Sequence, residues 1–183
     1  IKSIQRPDGS WYGSWGCCFT YGTWFGIEAL TEYGESLDKS YSIRMAVNFL
    51  LVNQNKNGGW GEDFSSCYNK AYAINGAELY GDEEGSAIIQ TSWALLGLLA
   101  AFSSSKSPQL ANDRKNLLKS ISSGVAYLKD KQEVNGDWKQ EGITGVFNRA
   151  CGITYTAYRN VFPIWALARY ESLIMIDDEN ERK

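Results

Sequence analysis

A chain of 183 residues that is 44% hydrophobic and 21% charged has the composition of an ordinary globular protein and the length to bury one sizeable core. Its 18 Lys and Arg are scattered among 21 Asp and Glu, a net charge of −3 without a basic stripe, which argues against nucleic acid as a partner. The absence of histidine removes Ser–His and Cys–His nucleophile pairs and most zinc sites, so neither a metal nor a cofactor is expected. The first residue is Ile, and no basic segment leads into an apolar one, so the natural start is expected to lie upstream.

From the amino end, the first feature is Gln5-x-x-x-Gly9-x-Trp11, followed by a helix predicted over 17–33 with Gly34 as its C-terminal stop. A second helix is predicted over 39–54. Its apolar side carries Val47, Leu50 and Leu51, and it runs into Gln54-x-x-x-Gly58-x-Trp60. A loop from about Asn75 to Gly85, containing the acidic run Asp82, Glu83, Glu84, precedes a third helix over 87–103. That helix holds the longest apolar run, Trp93 to Phe102, half of the roughly 20 residues a membrane-spanning helix needs. After the polar linker Ser103 to Asn112, a helix over 113–131 leads into Gln132-x-x-x-Gly136-x-Trp138. The last helix, over 158–175, takes Pro163 in its first turn, where a missing N–H costs little, and the acidic Asp177, Asp178, Glu179 and Glu181 read as a solvated tail. No strand alternation competes with these helices. Cys17, Cys18, Cys67 and Cys151 show no C-x-x-C spacing and are expected to be reduced thiols.

The seven-residue pattern recurs three times, which defines a repeat of helix, turn and helix, with the leading helix of the first copy expected before residue 1. The helices after the turns carry related signatures: Thr23-Trp24-Phe25-Gly26, Thr91-Ser92-Trp93-Ala94 and Pro163-Ile164-Trp165-Ala166. Stacked helix pairs form an open solenoid or a closed double-layered toroid, and a closed ring of six pairs needs about twice this length. Gln5, Gln54 and Gln132 have both donor and acceptor atoms to tie the end of one helix to orphan backbone groups at the start of the next. With Gly9, Gly58 and Gly136 in the turns and Trp11, Trp60 and Trp138 stacked over the amides, these residues read as structural staples. Glu62 and Glu141 follow their repeat Trp by two or three residues. They read as helix-start acids, the alternative being a carboxylate pair for sugar chemistry.

The segment Asp8-Gly9-Ser10-Trp11-Tyr12-Gly13-Ser14-Trp15-Gly16-Cys17-Cys18-Phe19-Thr20-Tyr21-Gly22-Thr23-Trp24-Phe25-Gly26 resembles oxidosqualene cyclases of the terpene cyclase/mutase family nearly residue for residue. Gly58-Gly59-Trp60-Gly61-Glu62-Asp63-Phe64 is similar too, as is Gly145-Val146-Phe147-Asn148 leading into Tyr155-Thr156-Ala157-Tyr158-Arg159-Asn160-Val161-Phe162-Pro163-Ile164-Trp165-Ala166-Leu167. The resemblance runs from about Arg6 to Tyr170 and is nearer to eukaryotic lanosterol synthase-like cyclases than to bacterial squalene cyclases.

It implies an all-α fold, part of an (α/α)6 double-layered toroid, with residues 1–183 as the C-terminal, incomplete part of the catalytic domain holding three repeats. It implies an isomerase that converts (S)-2,3-oxidosqualene to a sterol or triterpene polycycle at the endoplasmic reticulum membrane or a lipid droplet. Partners are the substrate, the remainder of the cyclase polypeptide and a membrane reached through segments outside this chain. The family's initiating Asp belongs to an Asp-Cys-Thr-Ala-Glu motif that this sequence lacks, so no catalytic residue is assigned here and the chain alone is expected to be inactive. Matching motif positions make Trp15, Phe147, Tyr155 and Tyr158 cavity-wall residues that stabilise cations, with Tyr155 and Tyr158 also candidates for orienting Trp15. A non-catalytic helical-repeat scaffold is the rival reading, but Trp24-Phe25, Trp93-Ala94-Leu95-Leu96 and Ile164-Trp165-Ala166-Leu167 are too apolar for a wet groove.

Overall fold

The computed structural model describes residues 1–74, 84–105, 111–148 and 151–181, with the backbone alone at 111–113 and 176–181. Asp82 and Glu83 lie outside the described residues, as do the side chains of Asp177, Asp178, Glu179 and Glu181. A short 3-10 turn, Lys2–Ile4, opens the chain. It is followed by α1 (Phe19–Glu32), α2 (Tyr41–Val52), α3 (Ser65–Asn69), α4 (Ile88–Ser104), α5 (Ala111–Asp130), β1 (Gly145–Phe147), β2 (Cys151–Ile153) and α6 (Tyr158–Glu181).

The apolar run of the sequence becomes the centre of the molecule. Every residue of α4 from Ile88 to Phe102 is buried, the signature of a helix with no solvent side. α1 and α6 flank it to form one layer, the inner helices, while α2 packs on α1 and α4, and α5 packs on α4, to form a second, the outer helices. This is the double-layered helix-pair arrangement expected from the repeat. Among the described residues, no helix is long and apolar enough to cross a membrane.

Helix ends follow local chemistry. α1 stops in a Schellman motif: Gly34 adopts φ +91°, its N–H bonds Thr31 O at 2.9 Å, and the Glu35 N–H bonds Leu30 O at 3.0 Å. The Ser40 hydroxyl caps α2 by accepting from the Ile43 N–H. Pro163 lies in the second turn of α6 rather than the first, because the helix already begins at Tyr158; the ladder therefore loses a bond there. Arg169 of α6 makes a bidentate pair with Glu28 of α1, at 2.7 and 2.8 Å, and the Trp24 indole N–H also donates to Glu28.

The expectation of helices alone requires one correction. β1 and β2 form an antiparallel hairpin with Val146 opposite Gly152 and Phe147 opposite Cys151. Three-residue strands are too short to show period-two patterning; Asn148, directly after β1, adopts φ +49°.

Candidate functional site

The three repeat turns are built alike. The glycine N–H bonds the carbonyl three residues back: Gly9 to Arg6, Gly58 to Asn55 and Gly136 to Glu133, at 2.8–2.9 Å. All three glycines adopt φ between +86° and +92°, a region costly to any residue with a Cβ. A Cβ on Gly58 would also sit 2.5 Å from Ser123 O of α5. The Gln5 amide donates to Gly9 O in its own turn and to Ser42 O of α2, and Gln54 repeats this with Gly58 O and Ser120 O of α5. Gln132 donates to Gly136 O at 2.9 Å. The second acceptors at Gln5 and Gln54 are carbonyls within the next outer helix, not the orphan groups at its start. Each Trp indole N–H bonds the carbonyl ten residues earlier: Trp11 to Ile1, Trp60 to Leu50 and Trp138 to Leu128, at 2.7–3.0 Å.

Backbone N–H groups of the repeat tryptophans are met from the inner helices. Trp11 N–H donates to the Thr23 hydroxyl and Trp60 N–H to the Thr91 hydroxyl. The third signature has Pro163 at that place, and Trp138 N–H turns to Asp137 at 2.7 Å. Asp137 also accepts from Asn160 and Arg159, and the hydrogen bond from Asn160, then that from Trp138 N–H, holds its carboxyl below the usual range.

Glu62 and Glu141 do sit at helix starts, but of helices far upstream. Glu62, 1% exposed, receives Phe19 N–H at 2.8 Å and Thr20 N–H at 2.9 Å, the first turn of α1. Glu141 receives Ile88 N–H at 2.7 Å, the first residue of α4. Neither N-cap residue, Cys18 or Ala87, supplies a side-chain bond of its own. Each repeat's acid thus caps the inner helix of the preceding repeat. Burial pushes the Glu62 carboxyl up, against the N–H bonds that lower it. Carboxylates committed to backbone caps are not arranged as a pair for sugar chemistry.

The candidate wall residues are brought together in two pairs. Residues just before α1 lie alongside β1: Gly16 bridges Gly145, Cys17 N–H bonds Thr144 O at 2.8 Å, and Val146 N–H bonds Trp15 O at 3.0 Å. This strap sets the Trp15 and Phe147 rings 5.9 Å apart, at 55% and 45% exposure. Tyr155 and Tyr158 stack at 4.5 Å. Tyr155 lies against Gly145, where an added Cβ would come within 2.2 Å of its ring, and Tyr158 reaches Phe162 and Trp93.

Two features escaped the sequence reading. Tyr21 joins the tyrosines, packing on Phe25 at 4.8 Å and Trp93 at 5.0 Å; its phenol is raised mainly by burial, then by Tyr158 and Tyr155. Its place one turn into a predicted inner helix was the available signal. Cys17, Cys18 and Cys67 form a fully buried thiol cluster, with Cys17 and Cys67 Sγ 3.6 Å apart; hydrogen bonding to Cys67 and burial push Cys17 and Cys18 up. No local spacing announces a contact across 50 residues. The inner-helix signatures also divide: Trp24 and Trp93 are core, whereas Phe25, Ile164 and Trp165 are exposed.

Residues 1–172 match the family model for the squalene-hopene cyclase C-terminal domain. The chain is 45% identical over 172 residues to the lanosterol synthase of Mus musculus, covering 92% of this chain and 21% of that protein. It is 49% identical over 175 residues to the cycloartenol synthase of Dictyostelium discoideum, covering 96% of this chain and 22% of that one. It thus spans about a fifth of the length of these relatives. Among solved structures, the type II terpene cyclase MstE from Scytonema, in its apo form, shares the fold with a TM-score of 0.55 at 20% identity, over 78% of this chain and 34% of that one.

Proposed function

This chain belongs to the squalene-hopene cyclase C-terminal domain family, and from that membership we propose that residues 1–183 form the C-terminal, three-repeat part of the catalytic toroid of an oxidosqualene cyclase. The reaction is an isomerisation: (S)-2,3-oxidosqualene is protonated at the epoxide, and ring closure carries a cation along the chain to a sterol or triterpene polycycle of the lanosterol type. The protonating Asp belongs to polypeptide outside these residues, as do the segments that attach the enzyme to the cytosolic face of the endoplasmic reticulum membrane or a lipid droplet. This part supplies wall.

The observation that carries the reading is the Trp15–Phe147 pair, two half-exposed rings brought together where the strap before α1 is bonded to β1. A migrating cation needs neighbours that stabilise it without attacking it, and a desolvated aromatic face supplies about 2 kcal/mol or more. Tyr155 and Tyr158 extend the wall; Tyr155, pressed on Gly145, also supports the strap. The helical-repeat scaffold reading gains nothing from this geometry, since a partner-binding groove has no need of aromatic rings held this way.

The test is a chimaera in which residues 1–172 replace the matching segment of the Mus musculus lanosterol synthase. Labelled oxidosqualene should be converted to a polycyclic alcohol. A chimaera that folds, melts cooperatively and leaves the substrate untouched overturns the reading.

A further inference from the structure

Glu62 and Glu141 stand outside the wall, yet each is bonded to the framework that carries it. Glu62 holds Phe19 and Thr20 N–H, the residues that directly follow the strap 15–18. Glu141 holds Ile88 N–H and lies three residues before Thr144, whose carbonyl receives Cys17 N–H. α1 and α4, the two helices so capped, pack side by side. The two carboxylates also line one narrow seam together with Gln90 and Thr144. A chain of backbone and hydrogen-bond links therefore runs from Glu62 through α1, the strap, Thr144 and Glu141 to α4, and the strap within it carries Trp15.

We infer that Glu62 and Glu141 are positioning residues for the aromatic wall: by capping the inner helices α1 and α4 from the turns of the following repeats, they fix the strap that sets Trp15 against Phe147. A hydrogen-bonded cap on two successive N–H groups fixes direction as well as position, which a packed apolar side chain does not. Glu62 uses both oxygens, one on Phe19 and one on Thr20, so an amide in its place keeps one acceptor and sets a donor against a donor. The consequence for product fidelity rests on the cyclase reading; the consequence for the strap does not.

The experiment separates the two. In the 183-residue chain, hydrogen exchange at the Cys17 and Val146 amides is compared among the parent, Glu62→Ala, Glu62→Gln and Leu128→Ala. Leu128 is a core residue of α5, and its variant serves as a destabilised control. Glu62→Ala should speed exchange at these two amides by about tenfold relative to the parent, Glu62→Gln less, and Leu128→Ala no more than it speeds the other core amides. In the chimaera, Glu62→Ala should raise the share of incompletely cyclised products by about fivefold, while Leu128→Ala lowers yield at an unchanged product ratio. An inert parent chimaera counts against the cyclase reading and leaves the exchange result to decide the positioning role. If Glu62→Ala and Glu62→Gln both behave as Leu128→Ala does at the Cys17 and Val146 amides, the carboxylate is a helix cap and nothing more, and the inference is wrong.

Discussion

A tryptophan 55% exposed beside a phenylalanine 45% exposed leaves much apolar surface uncovered, in a chain that buries Trp11, Trp24, Trp60, Trp93 and Trp138. Trp15→Leu and Phe147→Leu keep that apolar surface and remove only the π face. In the chimaera each should shift output toward partly cyclised or early-terminated products, with substrate consumption falling less than fidelity. Normal product at reduced turnover would make both rings packing elements. The residue scale also carries two pH dependences of opposite sign. Glu62 is raised in the folded chain, so its contribution is fully present below the unfolded pKa and is lost as pH rises through the folded one. The melting temperature of the parent should therefore fall relative to that of Glu62→Gln as pH rises from about 4 toward 7. Asp137 is lowered, so it contributes above its unfolded pKa, and the parent should lose ground to Asp137→Asn as pH falls below about 4. Flat difference curves, read by calorimetry across that range, would contradict both. Trp15 and Phe147 were singled out in the sequence by their motif positions. The partners of Glu62 were not: the Phe19 N–H it caps lies 43 residues away, beyond any local pattern.

At the scale of elements, the repeat was readable because the same bonds recur at the same spacing, Gln to Gly and Trp to the carbonyl ten back. Those bonds join one helix end to the turn that follows it, so the pattern that encodes them is local. Trp60 and Trp138 are almost wholly buried and donate to helix-end carbonyls. Trp60→Ala or Trp138→Ala should each cost about 3–5 kcal/mol of stability, through the cavity and the orphaned carbonyl, while leaving the product pattern of the chimaera intact. Chemical denaturation with product analysis checks this, and altered products at unchanged stability would move these rings to the wall. The hairpin of β1 and β2 was missed because its strands are three residues long and pair partly with the strap before α1, a contact of 129 residues in sequence between Gly16 and Gly145. Inner helices α1, α4 and α6 were assigned correctly from their shared signature. Which of their tryptophans face the core was not legible, since a signature repeats by sequence position while burial depends on packing: α4 packs on α1, α2, α5 and α6, whereas α6 packs on α4 and meets α1 through the Trp24–Trp165 and Glu28–Arg169 contacts.

For the molecule as a whole, the distribution of apolar side chains predicts what these 183 residues do by themselves. Phe25, Val161, Ile164 and Trp165 are exposed on α1 and α6, the two helices flanking the buried α4, and Trp15 and Phe147 are exposed beside them. Trp24 links this group, contacting Phe25 at 4.5 Å and Trp165 at 5.4 Å, so the exposed rings adjoin a common aromatic core. A patch of linked aromatic residues open to water favours association, at roughly 25 cal/mol for each Å² it buries. Three of the described acids are committed elsewhere: Glu62 and Glu141 to helix caps, and Asp137 to Arg159 and Asn160. A general acid must be within reach of the epoxide oxygen and hold a proton it can give. The purified 183-residue chain should therefore associate with rising concentration, bind an apolar dye, and convert no labelled oxidosqualene. Sedimentation, dye fluorescence and product extraction test the three parts. A monodisperse monomer that leaves the dye dark would show that the aromatic face is satisfied within the chain, and any polycyclic product would show that an acid in these residues does reach the epoxide.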